Sequence, residues 1–162
     1  MNILWAPWRM EYIENADEYD GCIFCEKPKE DRDEENLIVY RGKTAFVMMN
    51  RYPYNNGHLM VVPYQHTDEL NALSREQKIE LFDLLILSKE KLIKVMKPQG
   101  FNIGMNIGRI AGAGIVDHLH FHIVPRWSGD TNFMPIVGHT KVVSEGLVET
   151  LKKLRKAFQN SS

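Results

Sequence analysis

Imidazoles and apolar side chains alternate without interruption over residues 118–123, as His118, Leu119, His120, Phe121, His122 and Ile123. Successive side chains of a β-strand point to opposite faces, so the pattern predicts a strand with three imidazoles on one face and Leu119, Phe121 and Ile123 packed on the other. The run from Phe101 to Gly108 repeats this two-residue period: Phe101, Ile103, Met105 and Ile107 fall on one side, and Asn102, Gly104, Asn106 and Gly108 on the other. Paired antiparallel, the two runs share one core on their apolar sides and one surface on their polar sides. The connection from Arg109 to Asp117 exceeds the roughly two to five residues of an ordinary hairpin. It contains Ala111-Gly112-Ala113-Gly114, whose glycines let backbone N–H groups approach an anion. No helix opens after Gly114, so the dinucleotide-binding fingerprint is absent.

The remaining pattern completes the fold class. Leu37 to Tyr40 and Thr44 to Met49 read as strands joined by the turn Arg41-Gly42-Lys43, and Asn50 to Gly57 as a connection. Leu59 to Val62 reads as a central strand that Pro63 ends. Ser74-Arg75-Glu76-Gln77 is a capping box, and Ile79, Phe82, Leu85, Ile86, Leu92, Ile93 and Met96 recur after it at helical spacing. That stripe is expected to be core, with Lys97-Pro98 closing the helix. A second helix is expected over 145–158, polar enough to lie on the surface. The order predicts an α+β domain, a mostly antiparallel five-stranded sheet with a main helix and a C-terminal helix. Leu4-Trp5-Ala6-Pro7-Trp8-Arg9-Met10 is an aromatic-rich opening, expected to be pinned to the body by its tryptophans.

Length and charge narrow the function. The 162 residues suit one domain, taken as 1–162. A formal net charge of -1 provides no field for DNA, RNA or an acidic membrane, so any polyanion it binds is small and locally held. No apolar run is long enough to span a bilayer, and residues 1–10 lack the pattern of a signal peptide, so the expected location is cytoplasmic. Cys22 and Cys25 are the two cysteines, spaced Cys-x-x-Cys. In a reducing compartment they form either a redox pair or half of a zinc site, to be completed from the six histidines. The polar stretch from Glu26 to Asn36 is not the β-α-β setting of a thioredoxin-like pair.

Three chemistries suit imidazoles in register. His118 with His120, or His120 with His122, could chelate a metal. The rings could be buried and hydrogen-bonded as structure. Or a neutral imidazole attacks phosphorus and forms a phosphoramidate that an acceptor then cleaves. The polar neighbouring strand and the glycine loop favour phosphate, because they supply uncharged donors around an anion.

His118-Leu119-His120-Phe121-His122-Ile123-Val124 resembles the signature of the histidine triad (HIT) family of nucleotide hydrolases and transferases. The resemblance extends to Cys22-Ile23-Phe24-Cys25, to Gly57-His58-Leu59-Met60-Val61-Val62-Pro63 with His66 after it, and to Asn106-Ile107-Gly108. Leu4-Trp5-Ala6-Pro7-Trp8-Arg9 and the segment from Pro125 to Pro135 are similar to bacterial members related to diadenosine tetraphosphate phosphorylases. The resemblance implies a HIT-like domain with a core of about 20–130 between terminal extensions, and a catalytic set of His118, His120 and His122. Within it, His120 is the nucleophile that forms a nucleotidyl-histidine on the α-phosphate, and His122 binds the phosphate oxygens. It further implies that His58 is an auxiliary phosphate-site histidine, that Asn106 positions the nucleophile or phosphate, and that Asn50 meets the ribose where the family has an acidic residue. Phe24 would contact the base, with Phe46 and Met48 as walls, and Gly112 and Gly114 would lie against the nucleotide. Zinc would be held by Cys22, Cys25, His66 and His118, and the protein would be a homodimer.

The implied substrate is an adenine nucleotide or dinucleoside polyphosphate. The alternatives are nucleotidyl transfer to a sugar phosphate, a nucleoside phosphoramidase, and a zinc-stabilised nucleotide-binding module without turnover. Where many members carry a polar residue ahead of the triad, this chain has Gly114-Ile115-Val116-Asp117. Help for the leaving group would then come from backbone N–H groups, Asp117, or a cation among Arg9, Arg109 and Arg126. His139 is expected in a loop, within reach of a distal phosphate.

Overall fold

The computed structural model describes residues 21–113, 118–130 and 145–160. Gly114, Asp117, Arg9, His139, the aromatic opening and the segment beyond Asp130 up to Pro135 fall outside them. Five strands, β1 (Ile38–Arg41), β2 (Ala45–Met49), β3 (Leu59–Pro63), β4 (Gly100–Gly104) and β5 (Phe121–Arg126), form one antiparallel sheet in the order β1-β2-β3-β5-β4. The helices are α1 (Ile23–Glu26), a single turn, α2 (Arg75–Met96) and α3 (Leu147–Gln159). No helix among the described residues is long and apolar enough to cross a membrane.

β2 and β3 are buried along their whole length, which is why their sequences run apolar instead of alternating. One face carries Val47, Met49, Leu59, Val61, Leu119 and Ile123 against Leu81, Leu84, Leu85 and Leu92 of α2 and Leu151, Leu154 and Phe158 of α3. The other carries a smaller cluster of Ile38, Phe46, Met48, Met60 and Val62, capped by Phe24 from α1. Met60 pairs with His122, and His122 with Gly104, so the polar side of β5 is continuous with this second face. Asn102 and Gly104 lie there too, as the alternation predicts.

The ends of α2 are fixed locally. Gln77 N–H donates to the Ser74 hydroxyl at 3.2 Å and Ser74 N–H donates to Gln77 Oε1 at 2.7 Å, closing the capping box. Lys97 ends the helix in the left-handed region at φ 50. Gly57 (φ 75) lets the β2–β3 connection press on this end of α2, for a Cβ there would sit 2.5 Å from the Met96 sulfur. At the other end Glu80 clamps the β1–β2 turn, accepting from Lys43 N–H (2.6 Å), Thr44 N–H (2.5 Å) and the Thr44 hydroxyl.

The structure corrects four expectations. Ile79, Phe82, Ile86 and Ile93 are not core: they are 52%, 62%, 55% and 44% exposed, while the sheet takes Leu81, Leu84, Leu85, Ser88 and Leu92. The helix is apolar around more of its circumference than one sheet covers, and periodicity alone does not say which arc is covered. The second correction concerns the histidine run: ladder pairing begins only at Phe121, and Leu119 N–H donates to the Thr67 carbonyl instead of to a strand. The alternation survives this, since Leu119 and Ile123 join the helix-side core and the imidazoles lie opposite. Third, β4 stops at Gly104, and Ile103 and Ile107 are about half exposed, 47% and 49%, because β4 is the edge of the sheet. Finally, α3 buries Thr150, Leu151, Leu154, Ala157 and Phe158, so one side of it is core.

Candidate active site and metal centre

Three rings of the site have a nitrogen whose role is dictated by a backbone partner, and a fourth takes its role from one of them. A carbonyl oxygen only accepts, so a ring nitrogen bonded to one carries the proton. His118 Nε2–H donates to the Pro63 carbonyl at 2.8 Å, which leaves Nδ1 with the lone pair. His120 Nδ1–H donates to the His118 carbonyl at 2.9 Å, which leaves Nε2 with the lone pair. An amide N–H only donates, and Tyr54 N–H reaches His58 Nδ1 at 3.1 Å. His58 therefore carries its proton on Nε2 and donates to His122 Nδ1 at 2.9 Å, so the ring proton of neutral His122 is on Nε2. Neighbours on one face thus alternate: His118 and His122 are Nε2–H tautomers, and His120 is Nδ1–H.

The rings are held by packing as well. Phe24 lies 4.8 Å from the His120 ring and 5.4 Å from His118, centroid to centroid, and His120 lies 4.7 Å from His122. His118 is 1% exposed, His120 4%, and His58 fully buried. Tyr54 stacks on His58 at 5.3 Å. The middle ring belongs to no metal-ligating group among the described residues.

His118 turns its lone pair toward the Cys-x-x-Cys turn. Cys22 caps α1, and the Cys25 and Glu26 N–H groups bond back to the Cys22 carbonyl, so one helical turn points both sulfurs the same way. His118 Nδ1 lies 3.2 Å from Cys22 Sγ, 3.5 Å from Cys25 Sγ and 3.2 Å from His66 Nδ1, and Cys25 Sγ lies 3.3 Å from His66 Nδ1. All four donor atoms fall within 4.8 Å of one another. Ligands about 2.0–2.3 Å from a tetrahedral ion lie roughly 3.3–3.8 Å apart, so the spacing and the two-sulfur, two-nitrogen set fit a closed metal site. Burial pushes the Cys22 thiol up to about 11, and burial holds His118 down near 4 against the pull of the Pro63 carbonyl. The imidazole is therefore ready to ligate at neutral pH, while the Cys22 thiol needs a cation to favour its ionised form.

Other residues singled out by sequence fall into place unevenly. Asn106 Nδ2 donates to the Gly112 carbonyl at 3.4 Å, which ties the end of the second polar run to the glycine turn. Asn50 Oδ1 accepts from Tyr52 N–H at 2.9 Å, so the amide nitrogen is its outward polar group. Phe46 and Met48 share the face of the site but are buried under it, Phe46 stacked on Tyr64 at 5.2 Å. Arg109 is exposed. Arg126 is committed elsewhere: Nε and Nη2 bond Asp130 at 2.6 and 3.0 Å, and Nη1 bonds Asn102 at 2.6 Å. Sequence reasoning overlooked Tyr54, Asn55 and Asp130. Asn55 sits in an Asn-Asn-Gly turn, and Asp130 follows Trp-Ser-Gly, so turn chemistry hid their longer-range contacts.

The chain belongs to the histidine triad family: the family model of the HIT domain matches residues 31–129. Cys22 and Cys25 lie ahead of the matched segment. The chain is 41% identical over 159 residues to a Mycobacterium tuberculosis protein named AP-4-A phosphorylase, covering 93% of this chain and 81% of the relative. Among solved structures, a hypothetical histidine triad nucleotide-binding protein from Sulfolobus tokodaii superposes with a TM-score of 0.65 at 26% identity, covering 86% of this chain and 93% of the other. A histidine triad family protein from Mycobacterium smegmatis, described as Zn-bound, shares the fold with a TM-score of 0.67 at 22% identity, over 86% of this chain and 94% of that one.

Proposed function

We propose that the protein is an enzyme that cleaves dinucleoside polyphosphates of the diadenosine tetraphosphate type through a nucleotidyl-histidine on His120. The observation that carries the reading is the His120 Nδ1–H bond to the His118 carbonyl, which leaves Nε2 unprotonated and fixes the ring that bears it. Nε2 forms a bond to the α-phosphorus as the bridging P–O bond breaks, and the leaving nucleoside polyphosphate takes that electron pair. In the second half an oxygen of inorganic phosphate or water bonds the phosphorus, and the N–P bond breaks back onto Nε2. His122 Nε2–H donates to the phosphoryl oxygens, and His58 holds its tautomer. The similarity to a protein named AP-4-A phosphorylase supports the substrate class and favours phosphate as acceptor.

Asn106 and Gly112 line the phosphate side, with Asn50 on the ribose, while Phe24, fully buried, backs the rings of His118 and His120. We also assign zinc to Cys22, Cys25, His66 and His118, supported by their donor set. Bound there, the ion would tie the Cys-x-x-Cys turn and His66 to His118 through four protein donors, a structural role. The reduced thiols it needs suit the cytoplasm. A homodimer is supported by the exposed Ile79, Phe82, Ile86 and Ile93 of α2 beside the edge strand β4 with its exposed Ile103.

Incubation with diadenosine tetraphosphate, with and without inorganic phosphate, tests the reading. Multiple-turnover formation of ADP and ATP is expected only with phosphate, and in its absence a single equivalent of ATP is released with an acid-labile AMP adduct left on His120. No cleavage and no adduct under either condition would overturn it.

A further inference from the structure

The carboxylate of Asp130 stands at the far end of β5 from the imidazoles, yet its contacts lead back to them. It is nearly buried, its side chain 9% exposed, and accepts from Arg126 Nε (2.6 Å) and Nη2 (3.0 Å), Trp127 N–H (3.1 Å) and Asn55 Nδ2 (2.7 Å). The second Asn55 amide hydrogen goes to the Pro125 carbonyl at 3.1 Å. Both donors of Asn55 are thus spent on pinning the β2–β3 connection to the end of β5. Further along the connection, Thr150 of α3 holds Asn56, and the Asn55 carbonyl accepts from His58 N–H at 3.2 Å. One residue before Asn55 is Tyr54, whose N–H is the group that gives His58 its tautomer and, through it, His122.

We propose that Asp130 and Asn55 are positioning residues for the phosphate-binding histidine: their hydrogen bond fixes residues 54–58 so that Tyr54 N–H, His58 and His122 keep a single proton arrangement with Nε2–H on His122. The assignment rests on the cleavage reading above for its kinetic consequence, but the proton arrangement is observable without any turnover. If Tyr54 N–H moves away, His58 Nδ1 loses the backbone donor that fixes its tautomer, and the His58–His122 pair can reverse its proton. His122 would then present a lone pair to the phosphoryl oxygens instead of a donor. Arg126 serves this arrangement by neutralising Asp130, so its charge belongs to the clamp and not to the leaving group.

The test is long-range 1H–15N correlation on histidine-labelled protein together with steady-state kinetics on diadenosine tetraphosphate and phosphate. Asn55→Asp keeps the shape but sets an acceptor against the Asp130 carboxylate and the Pro125 carbonyl. Asp130→Asn is the milder variant and decides the matter if Asn55→Asp does not fold. Wild type is expected to show single Nε2–H tautomers for His58 and His122. In the variants mixed tautomers are expected, with kcat lowered roughly ten- to hundredfold and KM changed by less than about threefold. Asn102→Ala, which removes only the Nη1 partner of Arg126, is expected to leave the tautomers as they are. Folded variants with wild-type His58 and His122 tautomers overturn the proposal, whatever happens to kcat. Tautomers that shift as expected in a protein that cleaves no dinucleoside polyphosphate would uphold the linkage and overturn the cleavage reading instead.

Discussion

His118 and His120 are the same side chain on the same face, two residues apart, and both give a ring proton to a backbone carbonyl. They differ in which carbonyl they reach. His118 reaches across to Pro63 at the end of β3 with Nε2, which turns Nδ1 toward Cys22, Cys25 and His66. His120 reaches back along its own chain to the His118 carbonyl with Nδ1, which puts the lone pair on Nε2. One carbonyl leaves the lone pair facing the cysteines, and the next leaves it on Nε2, the nitrogen proposed to attack phosphorus. The two rings are also mechanically joined, because His118, which sits among Cys22, Cys25 and His66, supplies the carbonyl that orients His120.

His120→Ala tests the nucleophile end hardest. Turnover of diadenosine tetraphosphate is expected to fall by at least about 10³-fold, with nucleotide affinity by calorimetry kept within a few-fold. Unchanged turnover would erase the distinction between the two rings. At the other end, Cys25→Ser or stripping by a chelator is expected to remove close to one zinc per chain by elemental analysis. The melting temperature should drop by several degrees and kcat by tens of fold, since a misaimed ring costs rate more than binding. A metal-free protein with full kcat would show that the anchor and the nucleophile are independent.

The pH dependence of the metal-free protein sharpens the contrast further. His118 sits near 4 in the folded chain against 6.5 ordinarily, so between these values the unfolded chain binds more protons. Stability is expected to be full above pH 6.5 and to decline as pH falls toward 4, by on the order of 3 kcal/mol in denaturant titrations. His118→Gln should flatten that window. The smallest effect is expected at Glu80, remote from both rings. Burial pushes its carboxyl up, but the Thr44 hydroxyl and the N–H groups of Lys43 and Thr44 outweigh this and hold it below 4.5. Its contribution is therefore present above pH 4.5 and lost below it. Glu80→Gln should cost roughly 1 kcal/mol at pH 7 and remove that acid-side loss without touching kcat.

Much of this was legible in residue order. The two-residue period of 118–123 gave the face of the imidazoles, Ser74 and Gln77 gave the start of α2, and the Cys-x-x-Cys spacing gave half of the metal group. Other features were invisible for a physical reason. Ile79, Phe82, Ile86 and Ile93 follow the same helical period as residues that are buried, and only the position of the sheet separates them. Asn55 and Asp130 are common turn residues whose partners lie 75 positions apart. No local rule connects such a pair.

The sequence by itself determined which side chains could share a face and which chemistry they could do, because side-chain periodicity and donor type are properties of the chain. Tertiary structure alone decided which nitrogen of His118 and of His122 is protonated. A tautomer is set by the nearest fixed donor or acceptor. For His118 and His122 that partner is brought from a distant segment by the packing around β3 and β5.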